Sequence, residues 1–248
     1  MLLPAAGRAP RRPTRLWSRL ARGAGLALVL VAGGASAQAV TGARYDEPTT
    51  RYAHGVLGDA VEWGALVLTL GDGSARRIVL PETRVFEDLE PRLWDVTGDG
   101  LPEVVTVESD LRLGARLAIW GAEGLIAATP FIGQTNRWLA PVGAADLDGD
   151  GRIEIAYVDR PHLAKTLRVW RLEGDALREV ASATGLSNHR IGWDFIIGGI
   201  RDCGAGAEML VASGDWASVM AVRFDGVLRA RSLVPYSETA VAAALACQ

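Results

Sequence analysis

Short apolar runs separated by glycine- and aspartate-rich turns recur along most of the chain. Two well-formed sets lie, in order, at residues 104–107, 117–120 and 125–128, and at residues 155–158, 167–170 and around Val180. The turns between the last two runs of each set fall at residues 121–124 and 173–175. Runs of this length, rich in β-branched residues and bounded by such turns, are typical of antiparallel β-strands. The pattern therefore predicts an all-β chain built from repeats.

Two weaker copies of the repeat flank these sets. One follows residues 198–208 and has runs at 209–212 and 219–224, and the other lies at the front with runs at 52–57, 66–70 and 77–80. The front copy lacks an inner strand, and residues 241–247 overlay residues 142–148 without a gap. Four-stranded units of about fifty residues are typical of propeller blades. We therefore expect a four-bladed β-propeller, closed by the C-terminal strand joining the N-terminal blade.

Two of the repeats begin with the same acidic string. It reads D-x-[DT]-G-D-G-x-x-E at residues 95–103 and again at 146–154, 51 residues later. Calcium takes about six to eight oxygen ligands and tolerates irregular geometry, which suits such a loop. The predicted ligands are the side chains of Asp95, Thr97, Asp99 and Glu103 with the carbonyl of Leu101, and the side chains of Asp146, Asp148, Asp150 and Glu154 with the carbonyl of Arg152. Because Thr97 offers a neutral oxygen, we expect the first site to be the weaker.

Two other interpretations of these loops are an EF-hand and a pair of plain turns. An EF-hand requires a glutamate at its twelfth position, where this chain has Thr106 and Tyr157. The remaining alternative is a pair of solvated Asp-Gly turns. The third copy has Ile200 and Gly204 where aspartates belong, so we expect that loop to hold no metal. We expect the two calcium sites to be structural, since a catalytic metal needs an open coordination position beside a pocket.

The repeats with their acidic loops resemble FG-GAP/VCBS repeats, the blade type of integrin alpha-subunit propellers and of many secreted bacterial proteins. The resemblance covers most of residues 45–248, although two of the four copies carry the metal loop. It implies a β-propeller with calcium loops, and it implies no single activity.

The first 39 residues have the features of a cleaved secretory signal. Six arginines and no acid precede the apolar run at residues 26–32, and small residues suited to a signal peptidase follow. Cleavage leaves residues 40–248 as one propeller domain with 20 basic and 29 acidic residues, a net charge of −9. A chain so acidic is a poor nucleic-acid binder. We expect a periplasmic or secreted protein with no stable membrane insertion after signal cleavage.

The two cysteines survive signal cleavage and enter an oxidising compartment. In the closed ring that the repeats predict, Cys247 lies beside the first blade and Cys203 lies in the neighbouring fourth blade. We therefore expect a Cys203–Cys247 disulfide that fastens the closure of the ring. The alternative is two free thiols.

Candidate partner-binding residues lie in the loops opposite the acidic ones. They are Arg137, Trp138, His189, Arg190, Trp193, Asp215 and Trp216. Arginine, carboxylate and indole groups around the mouth of a ring would suit a polar or peptide ligand. His189 could act as a base, although a solvated loop histidine is the commoner case, and the same holds for His54 and His162. Trp94, Trp120 and Trp170 occupy repeated strand positions and are expected in the core.

No catalytic residue is assigned, because the chain lacks G-x-S-x-G, H-E-x-x-H and a glycine-rich phosphate loop after a strand. The first interpretation is a calcium-binding propeller that binds a protein or glycan partner without catalysis. The alternative is a periplasmic hydrolase or lyase with a polar site at the propeller mouth. A third possibility is a scaffolding subunit of an envelope assembly.

Overall fold

The computed structural model describes residues 38–248, which belong to one compact unit. The predicted signal peptide lies outside the described residues apart from its last two. The strands are β1 (Val40–Thr49), β2 (Glu62–Leu70), β3 (Ala75–Val79), β4 (Arg84–Phe86), β5 (Arg92–Trp94), β6 (Glu103–Asp110), β7 (Gly114–Gly121), β8 (Gly124–Ala128), β9 (Leu139–Ala145), β10 (Glu154–Asp159), β11 (Thr166–Glu173), β12 (Ala176–Thr184), β13 (Leu186–Ser187), β14 (Gly199–Asp202), β15 (Ala207–Ser213), β16 (Ser218–Phe224) and β17 (Leu228–Pro235). One helix, α1 (Glu238–Leu245), follows them. The prediction of an all-β chain is confirmed.

Three antiparallel sheets follow the predicted repeats. In the second sheet β4 and β5 both pair with β6, and β7 and β8 continue the sheet outward. The third sheet is β9-β10-β11-β12, and in the fourth sheet β13 and β14 both pair with β15, followed by β16 and β17. The strands predicted from the apolar runs of these three repeats are all present. Consecutive strands pair as neighbours because short turns join them.

The first sheet differs from the prediction. It consists of β1, β2 and β3, with β2 in the middle, and a single pairing of Trp63 with Phe86 joins it to the second sheet. The expected strand at residues 52–57 is instead irregular chain. Tyr52 and Val56 are nevertheless buried, so their apolar character reflects packing of a loop and not a strand. The strand β1 was missed because its polar and proline-containing sequence has no clear alternation.

The prediction that the C-terminal segment forms a closing strand is wrong. Residues 238–245 form helix α1, which contacts β14 and β15 of the fourth sheet. The segment is rich in alanine, the best helix former, and Ser237 caps its start by accepting a hydrogen bond from the backbone N–H of Ala240 at 3.0 Å. Among residues 38–248, no helix is both long and apolar enough to cross a membrane.

The predicted pairing of the cysteines is confirmed, but the elements that it joins differ from the expectation. Cys203 and Cys247 form a disulfide across a sequence separation of 44 residues. Cys203 follows β14, and Cys247 lies just after α1. The bond therefore fastens the helix to its own sheet and does not bridge the first and fourth sheets.

The core is divided into layers between successive sheets. One cluster, including Val105 and Ile155, lies between the second and third sheets. A second cluster, including Val158 and Val211, lies between the third and fourth sheets, and a third joins the first and second sheets. Trp120 and Trp170 are buried as expected, and Trp94 packs partly buried against the core. These layers cover both faces of the second and third sheets, which explains why β6 and β10 are buried along their whole length.

Loss of the disulfide is expected to destabilise the fold. Replacing both cysteines by serine releases a loop of 44 residues, for which the loop-entropy relation gives about 4 kcal/mol of lost stability. The measurement is urea unfolding of the variant and of the oxidised wild type. Thiol titration of the denatured, unreduced wild type should find no free thiol. Equal unfolding free energies would show that the bond contributes no stability.

Candidate functional site

The two acidic loops share one backbone conformation. Gly98 and Gly149 both have a φ of 78°, and Gly100 and Gly151 have φ values of 87° and 84°. These left-handed values are accessible to glycine without a steric penalty. The repeated D-x-x-G-x-G pattern therefore folds twice into the same turn.

The first aspartate of each loop organises that turn. The Asp95 carboxylate accepts hydrogen bonds from the backbone N–H groups of Gly98 at 2.7 Å and Gly100 at 2.9 Å. Asp146 does the same with Gly149 at 2.8 Å and Gly151 at 3.0 Å. The loops are thus shaped by their own side chains, and the carboxylates are gathered toward the inside of the turn.

A buried glutamate closes each loop from the first position of the next strand. Glu103 begins β6 and accepts a hydrogen bond from Val96 N at 2.9 Å, and Glu154 begins β10 and accepts one from Leu147 N at 2.9 Å. Burial raises the pKa of both carboxyl groups, although these backbone hydrogen bonds oppose the shift. Each glutamate therefore needs a positive partner to stay ionised at low cost.

Strand register decides which residue faces that glutamate. The pairing of Val104 with Trp120 places Gly121 beside Glu103. In the third sheet Glu154 pairs directly with Arg171. The second and third sheets thus place glycine and arginine at this position, and the difference determines the charge balance of the two loops.

Arg171 fills the centre of the second acidic loop. Its guanidinium lies 3.0 Å from Asp148 and 3.3 Å from Asp150, and its Nε donates to Glu154 at 2.6 Å. Within the described residues, the one convergent set of possible metal ligands is Asp146, Asp148 and Glu154. Arg171 contacts Asp148 and Glu154 of this set but not Asp146, whose carboxylate accepts hydrogen bonds from the N–H groups of Gly149 and Gly151.

The loop of the fourth sheet holds one aspartate, Asp202, and arginines surround its glutamate. Glu208 stands where Glu103 and Glu154 stand in the other sheets, and it pairs with Arg201, Arg223 and Arg231. Burial alone would raise the pKa of Glu208, but hydrogen bonds from these guanidinium groups outweigh it and hold the pKa below its ordinary value. In this loop the arginines provide the positive charge that a cation would otherwise supply.

A groove of about 730 Å³ runs beside the second acidic loop, between the third and fourth sheets. Asp148 lines one side, and Arg223 and Arg231 line the other. Both arginines already pair with Glu208. The groove therefore offers little uncommitted positive charge to a ligand.

The opposite ends of the strands meet in a second set of loops, which we call the distal end. It comprises residues 50–61, 85–91, 110–114, 129–138, 159–166, 185–198, 213–217 and 236. Backbone hydrogen bonds tie these loops together, including Arg160 N to Trp138 O at 2.9 Å and Gly192 N to Val56 O at 3.2 Å. All seven predicted partner-binding residues lie here.

Three aromatic side chains at the distal end surround the guanidinium group of Arg190. The Arg190 guanidinium carbon lies 4.3 Å from the ring centroid of Trp216, 5.4 Å from that of Trp193 and 5.7 Å from that of Tyr236. Arg190 is exposed, and the three aromatic residues are half-buried. The structure thus brings together three of the predicted residues and adds Tyr236, which follows β17. We call Arg190, Trp193, Trp216 and Tyr236 the aromatic patch.

The backbone at Trp216 is strained. Its φ is 62°, a left-handed value that is uncommon for any residue with a side chain and most unusual for a bulky one. The neighbouring Asp215 is exposed and accepts hydrogen bonds from Ser213 Oγ at 2.6 Å and Ala217 N at 3.0 Å. These bonds hold the turn that presents the indole to the patch. Strain of this kind persists where the surroundings fix it, and it concentrates at functional sites.

Two of the predicted partner-binding residues are interior. Trp138 is buried and donates from its indole nitrogen to Glu87 O at 2.8 Å. His189 is fully buried and bonds through Nε2 to Trp193 O at 3.0 Å. Neither side chain presents a surface to a partner, and His189 is not a solvated base. Arg137 is half-buried and remains at the distal end.

The distal end also buries a group of carboxyls and imidazoles that sequence reasoning passed over. Glu62, Glu87 and Asp88 are buried, and Glu87 accepts hydrogen bonds from Ser109 and from His54, whose Nδ1 lies 2.5 Å from its Oε1. His162 Nε2 lies 3.0 Å from His189 Nδ1, and burial lowers the pKa of His162 to about 4. The expectation that these histidines are solvated is therefore wrong. The one feature of the sequence that could have indicated their burial is that these histidines lie in loops that also contain the acidic residues.

Comparison with known proteins supports the repeat assignment. Residues 95–157 match the family described as FG-GAP-like repeat. The match spans both acidic loops and the strands β6 to β10, and it confirms the resemblance noted from the sequence. A search of the curated proteins found no match.

Glu62 is expected to make stability depend on pH. Burial, and then repulsion from Glu87, Asp59 and Asp88, raises its pKa to about 9. Between the unfolded value near pH 4 and this value, the folded chain keeps a proton that the unfolded chain loses, so stability falls as pH rises through that window. Glu62→Gln should therefore raise the melting temperature near pH 8 and change it little near pH 4.

The control for this measurement is Glu90→Gln, a change at an exposed carboxyl of the same region. Thermal unfolding of the three proteins at both pH values provides the comparison. A Glu62→Gln protein that melts below wild type near pH 8 would show that the ionised carboxylate is stabilising in the folded chain.

Proposed function

We propose that this chain is a periplasmic or secreted, calcium-supported β-propeller module that binds a protein or glycan partner without catalysis. The four sheets pack in chain order with core layers between successive members, and the FG-GAP-like match covers two of them. This order supports a four-bladed ring. The disulfide supports an oxidising compartment.

The observation that carries the binding role is the aromatic patch with its strained Trp216. Tryptophan, tyrosine and arginine are the side chains that most often dominate binding energy at interfaces. Arg190 has no carboxylate partner within residues 38–248, so its charge is available to a ligand. Arg190, Trp193, Asp215 and Trp216 therefore remain the proposed partner contacts, joined by Tyr236.

The calcium role rests on how well each loop fits the ion. The loop at 95–103 offers Asp95, Thr97, Asp99, Glu103 and the Leu101 carbonyl, and Gly121 leaves the position beside Glu103 free of competing charge. These oxygens suit a hard cation. Calcium bound there would neutralise the carboxylates and stiffen the turn into β6. This loop is the better candidate, contrary to the ranking expected from Thr97 alone.

The loop at 146–154 has the richer carboxylate set but holds Arg171 among its acids. Calcium could enter only by displacing a guanidinium that already contacts Asp148, Asp150 and Glu154. We therefore propose a weaker site here, with Asp146, Asp148, Asp150, Glu154 and the Arg152 carbonyl as ligands.

A second candidate function is a hydrolase or lyase acting at the distal end. The specific observation in its favour is the His54–Glu87 pair, because a carboxylate behind an imidazole is a common arrangement for acid–base chemistry. His189, the base suggested by the sequence, is buried and does not support this role. Turnover of a model ester or glycoside that is lost in His54→Gln would favour this second function.

Calcium is expected to raise the melting temperature of the wild type. Stabilisation by a ligand of the folded state reaches about 2.7 kcal/mol at a hundredfold excess over Kd. Glu103→Gln should lose most of this rise, and the matched change Glu154→Gln should lose less, because Arg171 weakens the second site. Thermal unfolding in calcium and in chelator measures both effects.

Arg171→Gln provides the complementary control. Removing the guanidinium leaves Asp148, Asp150 and Glu154 without their counter-charge, so this variant should be less stable than wild type in chelator and should gain more from calcium. A wild type indifferent to chelator would contradict calcium binding altogether. Equal losses in Glu103→Gln and Glu154→Gln would contradict the ranking of the two loops.

The aromatic patch is expected to carry partner binding. Trp216→Ala and Arg190→Ala should each weaken capture of the partner by roughly 30-fold, the loss typical of a dominant contact. The control is Arg178→Ala, which removes an exposed arginine on the edge strand β12 of the third sheet. The partner is sought by pull-down from periplasmic extract and by a glycan array, and its affinity is then measured. Affinities unchanged in both patch variants would exclude the patch as the contact surface.

A further inference from the structure

A small cavity at the distal end is distinct from the aromatic patch. It has a volume of about 30 Å³, and the side chains that matter to its chemistry are those of His54, Asn136, Arg137, Arg160 and His162. Among the described residues that line it, none carries a carboxylate. The space admits one small polar group, and its walls are rich in N–H donors.

Arg137 has an uncommitted guanidinium at this cavity. Its one side-chain hydrogen bond within residues 38–248 runs from Nη1 to Asn136 O at 3.1 Å. Most arginines of the described chain pair with a carboxylate, and those that do not are Arg112, Arg137 and Arg190. A half-buried guanidinium with up to five donors and so few partners is costly unless a ligand or water satisfies it.

Arg160 faces the same cavity with its orientation fixed. Asp159 accepts from its Nε at 2.8 Å and from its Nη2 at 2.9 Å. This pairing uses one edge of the guanidinium and leaves Nη1 without a hydrogen bond to the described residues. Asp159 lies behind Arg160 and does not line the cavity.

The backbone at both loops that line the cavity is strained. Asn136 has a φ of 54° and Arg160 a φ of 47°. Asn136 N donates to the Tyr52 hydroxyl at 2.9 Å, and Arg160 N donates to Trp138 O at 2.9 Å. Left-handed non-glycine residues persist where surrounding contacts hold them, and two such residues at one cavity indicate a site fixed in shape.

The charge of the cavity selects against a metal ion. Two guanidinium groups would repel a cation, although His54 and His162 are side chains that metals favour. The nearest buried acids, Glu87 and Asp159, are already paired with His54 and Arg160. The unpaired N–H groups of Arg137 and Arg160 therefore favour a negatively charged hydrogen-bond acceptor.

We propose that this cavity binds the carboxylate group of an organic ligand, with Arg137 as the principal contact and Arg160 and Asn136 as supporting donors. Guanidinium and carboxylate match in shape and form paired charge-assisted hydrogen bonds. The proposal rests on the proposed binding function and names the chemical group that this end of the sheets recognises. The aromatic patch supplies the remaining contact surface.

The test uses the full mature chain and three carboxylate probes: acetate, galacturonate and N-acetylglutamate. Galactose is the neutral counterpart of galacturonate. Calorimetry should show saturable binding of the carboxylates and none of galactose. A preference for galacturonate identifies a sugar acid as the source of the group, and a preference for N-acetylglutamate identifies a peptide. Absence of binding by all three carboxylates overturns the proposal.

Arg137→Gln should weaken carboxylate binding by roughly 10- to 100-fold, the effect of losing a charged hydrogen-bond pair. Arg112→Gln is the matched control, since Arg112 is also unpaired at the distal end but does not line the cavity. Arg137→Lys keeps the positive charge but loses the planar guanidinium with its paired donors. This variant should therefore bind carboxylates more tightly than Arg137→Gln and less tightly than wild type. Equal affinities of wild type and Arg137→Gln overturn the assignment of Arg137.

A measurement on the wild type tests the proposal even if the Arg137 variants fail to fold. Phenylglyoxal modifies accessible arginines, and bound galacturonate should protect Arg137 while leaving Arg112 reactive. Modification of Arg137 at an unchanged rate overturns the proposal. If the carboxylates bind but Trp216→Ala still captures the partner normally, the proposed patch fails and the cavity stands. If the patch variants lose the partner and no carboxylate binds, the cavity fails alone.

Discussion

One electrostatic constraint shapes three of the four sheets: a glutamate buried at or next to the start of β6, β10 and β15 must be neutralised. Backbone N–H groups supply part of the compensation for Glu103 and Glu154. For Glu154 the remainder comes from Arg171 on the neighbouring strand, whereas Gly121 at the matching position of the second sheet adds no charge. Glu208 is compensated by arginines alone. The same fold position is therefore balanced by different means, and the choice of means decides where a cation is useful.

The two ends of the sheets differ in the residues that they hold and in how those residues are hydrogen-bonded. At one end, aspartates and glycines make compact turns whose hydrogen bonds are nearly all internal. At the other end, buried carboxyls and imidazoles, strained backbone and unpaired guanidinium groups accumulate in the loops. The first arrangement stabilises the folded state, whereas the second lowers its stability. The proposed ligand contacts lie at this second end, where the fold leaves guanidinium groups without carboxylate partners.

The sequence was most informative where local pattern and chemistry coincide. The strands of the second, third and fourth sheets followed from apolar runs between glycine turns. The prediction for the C-terminal segment was wrong because an apolar run of this length is compatible with either a strand or a helix. The high helix propensity of alanine and the N-cap at Ser237 favour the helix. Strand β1 escaped notice because its pairing with β2 is set by tertiary contacts. The partners of His54 and His189 were hidden for the same reason, since they come from loops remote in the chain.

The disulfide has a mechanical consequence. Cys247 joins Cys203, so the strands β15, β16 and β17 and helix α1 all lie within one covalent loop. Tension applied beyond Cys247 passes through the sulfur atoms directly to the chain after β14. The enclosed strands and helix bear none of that load, and a tether at this terminus pulls on the fourth sheet at its inner side without peeling away its outer strands.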